Sequence, residues 1–341
     1  MKGRASLSVA LAALAAMHLA AIGAPFLSPY DPTEQNRSLP YAPPTRLHLV
    51  DGEGRFHFRP VVYRMSRRGP GGSYEEDRRQ SYRMLFLVRD LDAAGAPAGR
   101  IHLFGVEEPA RVFLLGTDGF GRDQLSRLLH GARISLFAGL LATVLSLGVG
   151  WLLGTLAGYY GRWLDSILMR SAELFLALPW LYLLFAVRAV LPLRVSSAQA
   201  FLLLVLLIGL VDWARPARLF RGLVLSARER SYVLAARGFG ASDFYLIRRH
   251  IAPQTRGLLL TQAALVAPQY VLAEVTLSFL GLGVSEPTPS WGNMLASLQQ
   301  YHVLVSYWWM WVPGLALLAM SLAYYALSEA LGPRAGHRSA E

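Results

Sequence analysis

Arg215–Pro253 reads RPARLFRGLVLSARERSYVLAARGFGASDFYLIRRHIAP and lies between two apolar runs. Extended to Arg256, it carries nine arginines (Arg215, Arg218, Arg221, Arg228, Arg230, Arg237, Arg248, Arg249 and Arg256) against Glu229 and Asp243. A short loop with such an excess of positive charge between apolar runs belongs on the cytoplasmic side of a membrane. Its centre reads as helix, turn, helix. Ser231–Arg237 suits a helix, and Gly238 and Gly240 break it, because glycine readily takes the positive φ of a tight turn. Ser242 is placed to cap the next helix, whose positive N-terminus suits Asp243. Pro253 is expected to stop that helix.

Composition agrees with a membrane chain. Of 341 residues, 54% are hydrophobic and only 16% charged, which is too apolar for an ordinary soluble domain. The net charge of +11 raises nucleic acid as a partner. The arginines, however, cluster in loops beside apolar spans, where they serve membrane orientation and headgroup contact. With no cysteine there is no disulfide framework, thiolate chemistry or zinc–cysteine site. Lys2 is the only lysine, so the chain cannot form a nucleotide-binding P-loop, which needs Lys followed by Ser or Thr. Any ATP hydrolysis that drives it belongs to another polypeptide.

Six apolar runs set the expected topology: residues 7–27, 134–159, 167–193, 198–213, 258–282 and 307–331. The first is long for a signal-peptide core and is read as a retained span entering from inside, with a cleaved signal peptide as the alternative. Residues 28–115 are polar and strand-like in patches. Asp51-Gly52-Glu53-Gly54 between Arg46–Val50 and Arg55–Arg59 is a hairpin signal, and Ser81–Arg89 and Arg100–Phe104 read as further strands. Tyr63–Asp77, with Arg67-Arg68-Gly69-Pro70-Gly71-Gly72, reads as a flexible loop. This insert falls outside; it is a docking or gating surface, or a structural cap. Residues 116–133 include Leu125, Leu128 and Leu129 on one helix face, an amphipathic segment expected to lie at the interface. In the second run Gly150, Gly154 and Gly158 repeat every four residues, so one face admits a neighbouring helix closely. Pro179 should kink the third run, and Glu173 can pair with Arg170 or with another span. Gln262, Pro268, Gln269 and Glu274 make the fifth run the most polar; Glu274 belongs to a translocation path or gate, or forms a buried structural hydrogen bond. The loop from Val284 to Ser306 has no Lys or Arg, as an outer loop should, and Tyr301, Tyr307, Trp308, Trp309 and Trp311 read as an outer aromatic belt. A basic tail, Arg334–Arg338, falls inside. The fold expected is an all-α polytopic membrane protein with both termini cytoplasmic and a β-containing extracytoplasmic insert. Its divisions are 1–27, 28–115, 116–133, a core at 134–332 with the loop 215–253, and a tail at 333–341.

Three stretches resemble one family. Ala235, Ala236, Gly240 and Pro253 match the spacing of the "EAA" loop of ABC-importer permeases, and Ala217-Arg218, Arg221, Leu225 and Tyr232-Val233 look like its peptide-importer branch. Leu234 stands where that family usually has Glu, and Ala252 where it usually has Leu. Gly116, Thr117, Asp118, Gly121, Arg122, Asp123, Ser126 and Arg127, followed by Gly131, Arg133, Ser135 and Leu136, resemble a second motif of the same branch. LAEVTLSFLGLG from Leu272 and PTPSWGNM from Pro287 resemble a third. The resemblance covers about Leu115–Gly332 and the first span. It implies a six-span, type I importer permease in a bacterial inner membrane. It implies a second homologous permease, two ATP-binding cassette ATPase domains that hold ATP and Mg, and an extracytoplasmic solute-binding protein. Tyr232, Leu234, Ala235, Ala236, Gly240, Ala241 and Pro253 then couple to the ATPase, and Glu274, Gln269 and Gln262 line the path.

Enzyme chemistry finds no foothold. The eight histidines are scattered with no metalloprotease pair, Gly-x-Ser-x-Gly is absent, and Asp118 and Asp123, flanked by Gly and Arg, suit helix capping better than catalysis. The competing readings are a polytopic sensor whose insert binds a ligand, and an intramembrane enzyme, for which only Glu274 stands out.

Overall fold

The computed structural model describes residues 2–67, 73–91, 97–177, 179–190 and 196–331. The Arg68–Gly72 part of the expected loop, the start of the Arg194–Gln199 turn and the tail Arg334–Arg338 lie outside the described residues. In chain order the elements are α1 (Lys2–Ile22), α2 (Ala24–Leu27), β1 (His48–Val50), β2 (Phe56–Arg67), β3 (Tyr74–Leu91), β4 (Pro97–Val106), α3 (Gln124–Tyr160), α4 (Arg162–Ala177), α5 (Trp180–Val190), α6 (Ser197–Val211) and α7 (Ala214–Arg228). Then come α8 (Ser231–Gly238), α9 (Asp243–Leu246), a π-helical turn (Ile247–Ile251), α10 (Ala252–Phe279), α11 (Trp291–Ala296), α12 (Tyr301–Ser306) and α13 (Val312–Leu331). Among the described residues, Gln124–Tyr160, Asp243–Phe279 and Trp308–Leu331 are long and apolar enough to cross a membrane. Two bent pairs, Arg162–Ala177 with Trp180–Val190 and Ala198–Val211 with Ala214–Arg228, raise that number to five; the apolar part of α1, Leu7–Ile22, is shorter.

The chain forms two compact units. One is built around Leu136–Leu277, with the chain ends up to Leu14 and from Ala319. Here the arginine-rich segment departs from expectation: Ala214–Arg228 is a helix rather than loop. Ala217, Phe220, Val224 and Ala227 recur at three- or four-residue intervals and are all buried, so the segment carries an apolar stripe beneath its arginines. That stripe meets the glycine face of α3. A Cβ built on Gly154 would fall 2.3 Å from the Ala217 carbonyl oxygen, and one on Gly158 would fall 2.8 Å from that of Arg221. The two backbones therefore touch where no side chain fits. Arg221 forks onto Asp165 of α4, with Nη2 2.6 Å from Oδ2, and the Arg170–Glu173 pair forms at 3.6 Å on the exposed side of α4.

The other unit comprises Ala15–Ser135 and Ser278–Leu318. β1 to β4 form an antiparallel meander in sequence order, over a core of Val62, Tyr82, Met84, Phe104 and Val112. The described part of the expected loop at Tyr63–Asp77 is mostly strand. Arg64 pairs with Asp77 and Met65 with Glu76, because Met65 and Tyr74 have an apolar seat against Leu39, Ala42 and Phe113. The amphipathic segment is continuous with the second apolar run: nothing between Gln124 and Ile134 breaks the helix, and α3 runs through both. The aromatic belt is not uniform. Tyr301, Trp308 and Trp311 are exposed, whereas Trp309 is buried and donates its indole N–H to the Thr117 carbonyl at 3.0 Å. Tyr307 stacks on Tyr41 at 4.3 Å between centroids.

The close approach of α3 and α7 makes a sharp prediction. Gly154→Ala puts a methyl into backbone and should cost about 1–3 kcal/mol, while Gly148→Ala, whose Cβ meets nothing within 4 Å, should cost nothing and gain up to about 1 kcal/mol of helix propensity. Melting temperatures of the two purified variants check this. Equal melting points would show that the helices separate freely at this stripe.

Candidate functional site

The helix–turn–helix of the arginine-rich segment forms around a positive-φ residue. α8 ends at Gly238, and Gly240 takes φ +84° with open space where a Cβ would stand. The glycine is thus demanded by the backbone and not by crowding. Ser242 caps α9, its side chain accepting from the Tyr245 N–H, and Asp243 occupies the first turn. Beneath the turn, Tyr159, Val224, Ala227, Val233, Leu246 and Ile251 form a core against which Ala236 and Ala241 pack. Tyr159 donates to Asp243 Oδ1 at 2.6 Å, and Arg237 lies over its ring at 5.5 Å. Arg228 Nη1 donates to the Gly158 carbonyl at 2.9 Å and the Tyr159 carbonyl at 3.2 Å, so a cation satisfies the negative end of α3.

Of the residues expected to couple, Tyr232, Leu234, Ala235, Gly240 and Pro253 are exposed, and Ala236 and Ala241 are half-buried. Two residues that motif spacing did not single out are more prominent: Phe239 is 93% exposed and Phe244 71%. Their signal was a large aromatic between two glycines and another just after a helix cap. Pro253 does not stop the helix. The π-helical turn before it sends the Ala252 N–H to the Ile247 carbonyl, and this widened register accommodates the N–H that proline lacks. Asp243–Phe279 is therefore one helix of 37 residues, and the second arm of the turn is the start of a membrane-length helix.

The polar residues of α10 do not form one stripe. Glu274 is fully buried, while Gln262 is half-buried and Gln269 exposed, on the face that carries exposed Leu265 and Leu272. At about 100° per residue, Glu274 sits roughly 140° around the helix from Gln269. Within the same unit is a buried polar cluster that the sequence did not reveal. The Tyr270 hydroxyl lies 2.8 Å from Ser146 Oγ and 3.0 Å from Asp212 Oδ2. Asp212 stands at the bend between α6 and α7. Its only sequence signal was an acidic residue closing an apolar run.

The motif at 116–127 is a folded corner. Thr117 Oγ1 donates to the Leu39 carbonyl and accepts from the Ala42 N–H, both at 2.7 Å. Gly116 and Gly121 have positive φ, and a Cβ on Gly121 would sit 1.8 Å from the Asn36 carbonyl oxygen. Asp118 Oδ1 accepts from the N–H groups of Phe120 and Arg122 at 2.8 and 3.0 Å, and its Oδ2 accepts from Arg122 Nε at 2.7 Å. Asp123 stands before α3 and accepts from the Ser126 N–H and hydroxyl at 2.8 and 2.6 Å. Arg127 reaches Glu286 Oε1 at 2.8 Å. Asp123 therefore caps α3 as expected, whereas Asp118 does not: its N–H partners lie in its own turn, before the helix begins.

Burial pushes the Asp123 carboxyl up to about 6, against the pull of the Ser126 hydrogen bonds. The folded state holds this proton more tightly than the unfolded chain. The stabilisation is therefore complete below pH ~4 and lost as pH rises through about 6. Relative to Asp123→Asn, wild type should lose stability between pH 4 and 7, by at most about 3 kcal/mol. A difference in melting temperature that stays flat over this range would refute it.

The comparisons with known proteins agree in kind. Residues 150–337 match the family described as binding-protein-dependent transport system inner membrane component, and residues 8–44 match the N-terminal TM domain of oligopeptide transport permease C. The chain is 36% identical to the dipeptide transport system permease protein DppC of Bacillus subtilis, over 66% of this chain and 70% of that protein. It is 40% identical to the di/tripeptide transport system permease protein DppC of Pseudomonas aeruginosa, over 65% and 72%. It is 38% identical to a putative peptide transport system permease protein of Brucella suis, over 75% and 89%. A solved structure of the MetNI methionine ABC transporter, inward facing, covers 60% of this chain and 95% of its own at 15% identity; its TM-score of 0.42 is too low to carry an argument. The sensor and enzyme readings find no support. With a family match over more than half its length, this chain belongs to the inner-membrane permease components of binding-protein-dependent ABC importers and is a transport subunit rather than an enzyme.

Proposed function

We propose that this permease imports peptides or similar small solutes and is driven through the turn at Ser231–Phe244. The observation that carries this reading is the turn itself: it presents Tyr232, Leu234, Phe239 and Phe244 to solvent while its underside is anchored in a closed apolar core. Exposed aromatics on a rigid platform are the form of a docking knob for a hydrophobic groove. The groove belongs to a separate ATPase, which binds ATP and Mg. Peptide selectivity is supported by the names of the relatives. In this reading six helices span the bilayer, with α1 as the first, both termini and the turn are cytoplasmic, and the sheet of β1–β4 lies outside. A second homologous permease completes the path, two ATPase domains sit below, and a solute-binding protein delivers from above. Continuity of Asp243 with Phe279 in one helix lets a displacement of the turn be carried into the membrane.

Chain tagged and purified from its native membrane in mild detergent should bring with it a P-loop ATPase and a second polytopic permease. Recovery with neither would remove the coupling assignment. Within the assembled transporter, Gly240→Val should abolish uptake and leave membrane insertion intact, since a β-branched residue resists φ +84°. Gly240→Asn, which tolerates that conformation at little cost, should retain most uptake. Wild-type uptake in the valine variant would mean that the turn does not need its shape.

A further inference from the structure

The corner at 116–127 also walls a cavity of about 520 Å³ with residues of the 278–310 stretch. Two guanidiniums line it. The Arg122 side chain is 6% exposed and that of Arg127 2%. The negative charges that face them are Asp118 and Glu286, and they are not equivalent. Asp118 is built in: it accepts two backbone N–H groups as well as Arg122 Nε, and Arg127 Nε lies 3.7 Å from it. Glu286 is held by the guanidiniums, and its side chain is 45% exposed. Arg122 Nη1 donates to Oε2 at 2.6 Å and Arg127 Nη2 to Oε1 at 2.8 Å. Two arginines thus grip the two oxygens of one carboxylate, a bidentate geometry with strong preference for planar anions. The backbone around it is pinned, since Asn293 Nδ2 donates to the carbonyls of Val284 at 3.3 Å and Thr288 at 2.8 Å.

The charge balance gives this arrangement a consequence. Two buried cations need two anions; Asp118 supplies one permanently, and the other comes from a side chain half in solvent. Rotation of Glu286 into water would leave a preformed seat for one carboxylate at the wall of a cavity lined also by Tyr41, Phe279 and Met310. We propose that Arg122 and Arg127 form a carboxylate-binding site, with Glu286 as an internal occupant that a solute's carboxylate displaces. On the transport reading that carboxylate is the free C-terminus of a peptide; the site itself requires only the acid.

The test uses the full-length chain in nanodiscs, titrated calorimetrically with L-alanyl-L-alanine, its C-terminal amide, acetate and chloride at constant ionic strength. Glu286→Gln keeps the shape of the side chain and removes the competing charge. It should raise affinity for the dipeptide acid about tenfold and leave the amide unchanged. An equal gain for the amide, no gain for the acid, or an equal gain for chloride would overturn the site. An equal gain for acetate and dipeptide upholds the carboxylate site and counts against a peptide-shaped cavity. Uptake assays are separate: a carboxylate gain in a transporter that moves no peptide keeps this site and removes the peptide reading. Arg127→Lys, which loses the fork, should lose the gain when combined with Glu286→Gln; if that variant does not fold, the single Glu286→Gln result still decides.

Discussion

The contact on which the turn at 231–244 depends is backbone against backbone. Gly150, Gly154 and Gly158 give α3 a face without side chains, and α7 lies on it so closely that a single methyl at Gly154 would strike the Ala217 carbonyl. In lipid there is no hydrophobic drive to press two helices together, so packing and polar contacts must do it. Once α7 is seated, its C-terminal Arg228 reaches the last carbonyls of α3, and Tyr159 at the end of α3 reaches Asp243. A stripe of small residues in one helix thereby fixes the position of a turn that begins more than seventy residues later in the chain.

From that seat the turn has one flexible-looking feature and one stiff one. Gly240 supplies a conformation that other residues resist, and the exposed Phe239 sits beside it. Asp243 then opens a helix that continues past Pro253 to Phe279. The π-helical turn at Ile247–Ile251 is what makes the continuity compatible with proline. In the function proposed above, this apolar knob on a rigid lever is the element that transmits motion from an ATPase into the membrane-spanning part of the permease.

The corner at 116–127 answers a different constraint. It folds glycines, aspartates and arginines into a small volume and ties them down locally: Thr117 against 39–42, Asp118 against its own turn, Asp123 against Ser126. Of the two acidic partners of Arg122 and Arg127, Glu286 is the one that remains partly in solvent, and the carboxylate site proposed above rests on that difference.

Much of this was legible in order along the chain. Of the six apolar runs, those at 134–159, 258–282 and 307–331 fall on helices long enough to cross a membrane, those at 167–193 and 198–213 on bent pairs and the first on a shorter helix, because span length is set by bilayer thickness. The glycines and Ser242 marked the turn, because positive φ and capping are local requirements. Spacing at 116–127, 231–253 and 272–294 carried the family. What the sequence could not settle depends on partners distant in the chain. Ala214–Arg228 looked like loop because its charge hid an apolar stripe whose complement is the glycine face of α3. Pro253 looked like a stop because a π turn has no local signature. Trp309 looked like a belt residue until Thr117 claimed its N–H, and Gln269 and Glu274 shared a helix but not a face. Asp212, Tyr270 and Ser146, far apart in sequence, meet only in the packed bundle. Composition and local geometry were enough for the membrane class, the turn and the family. Which polar groups are buried together was settled by packing, because burial is a property of neighbours that the chain order does not name.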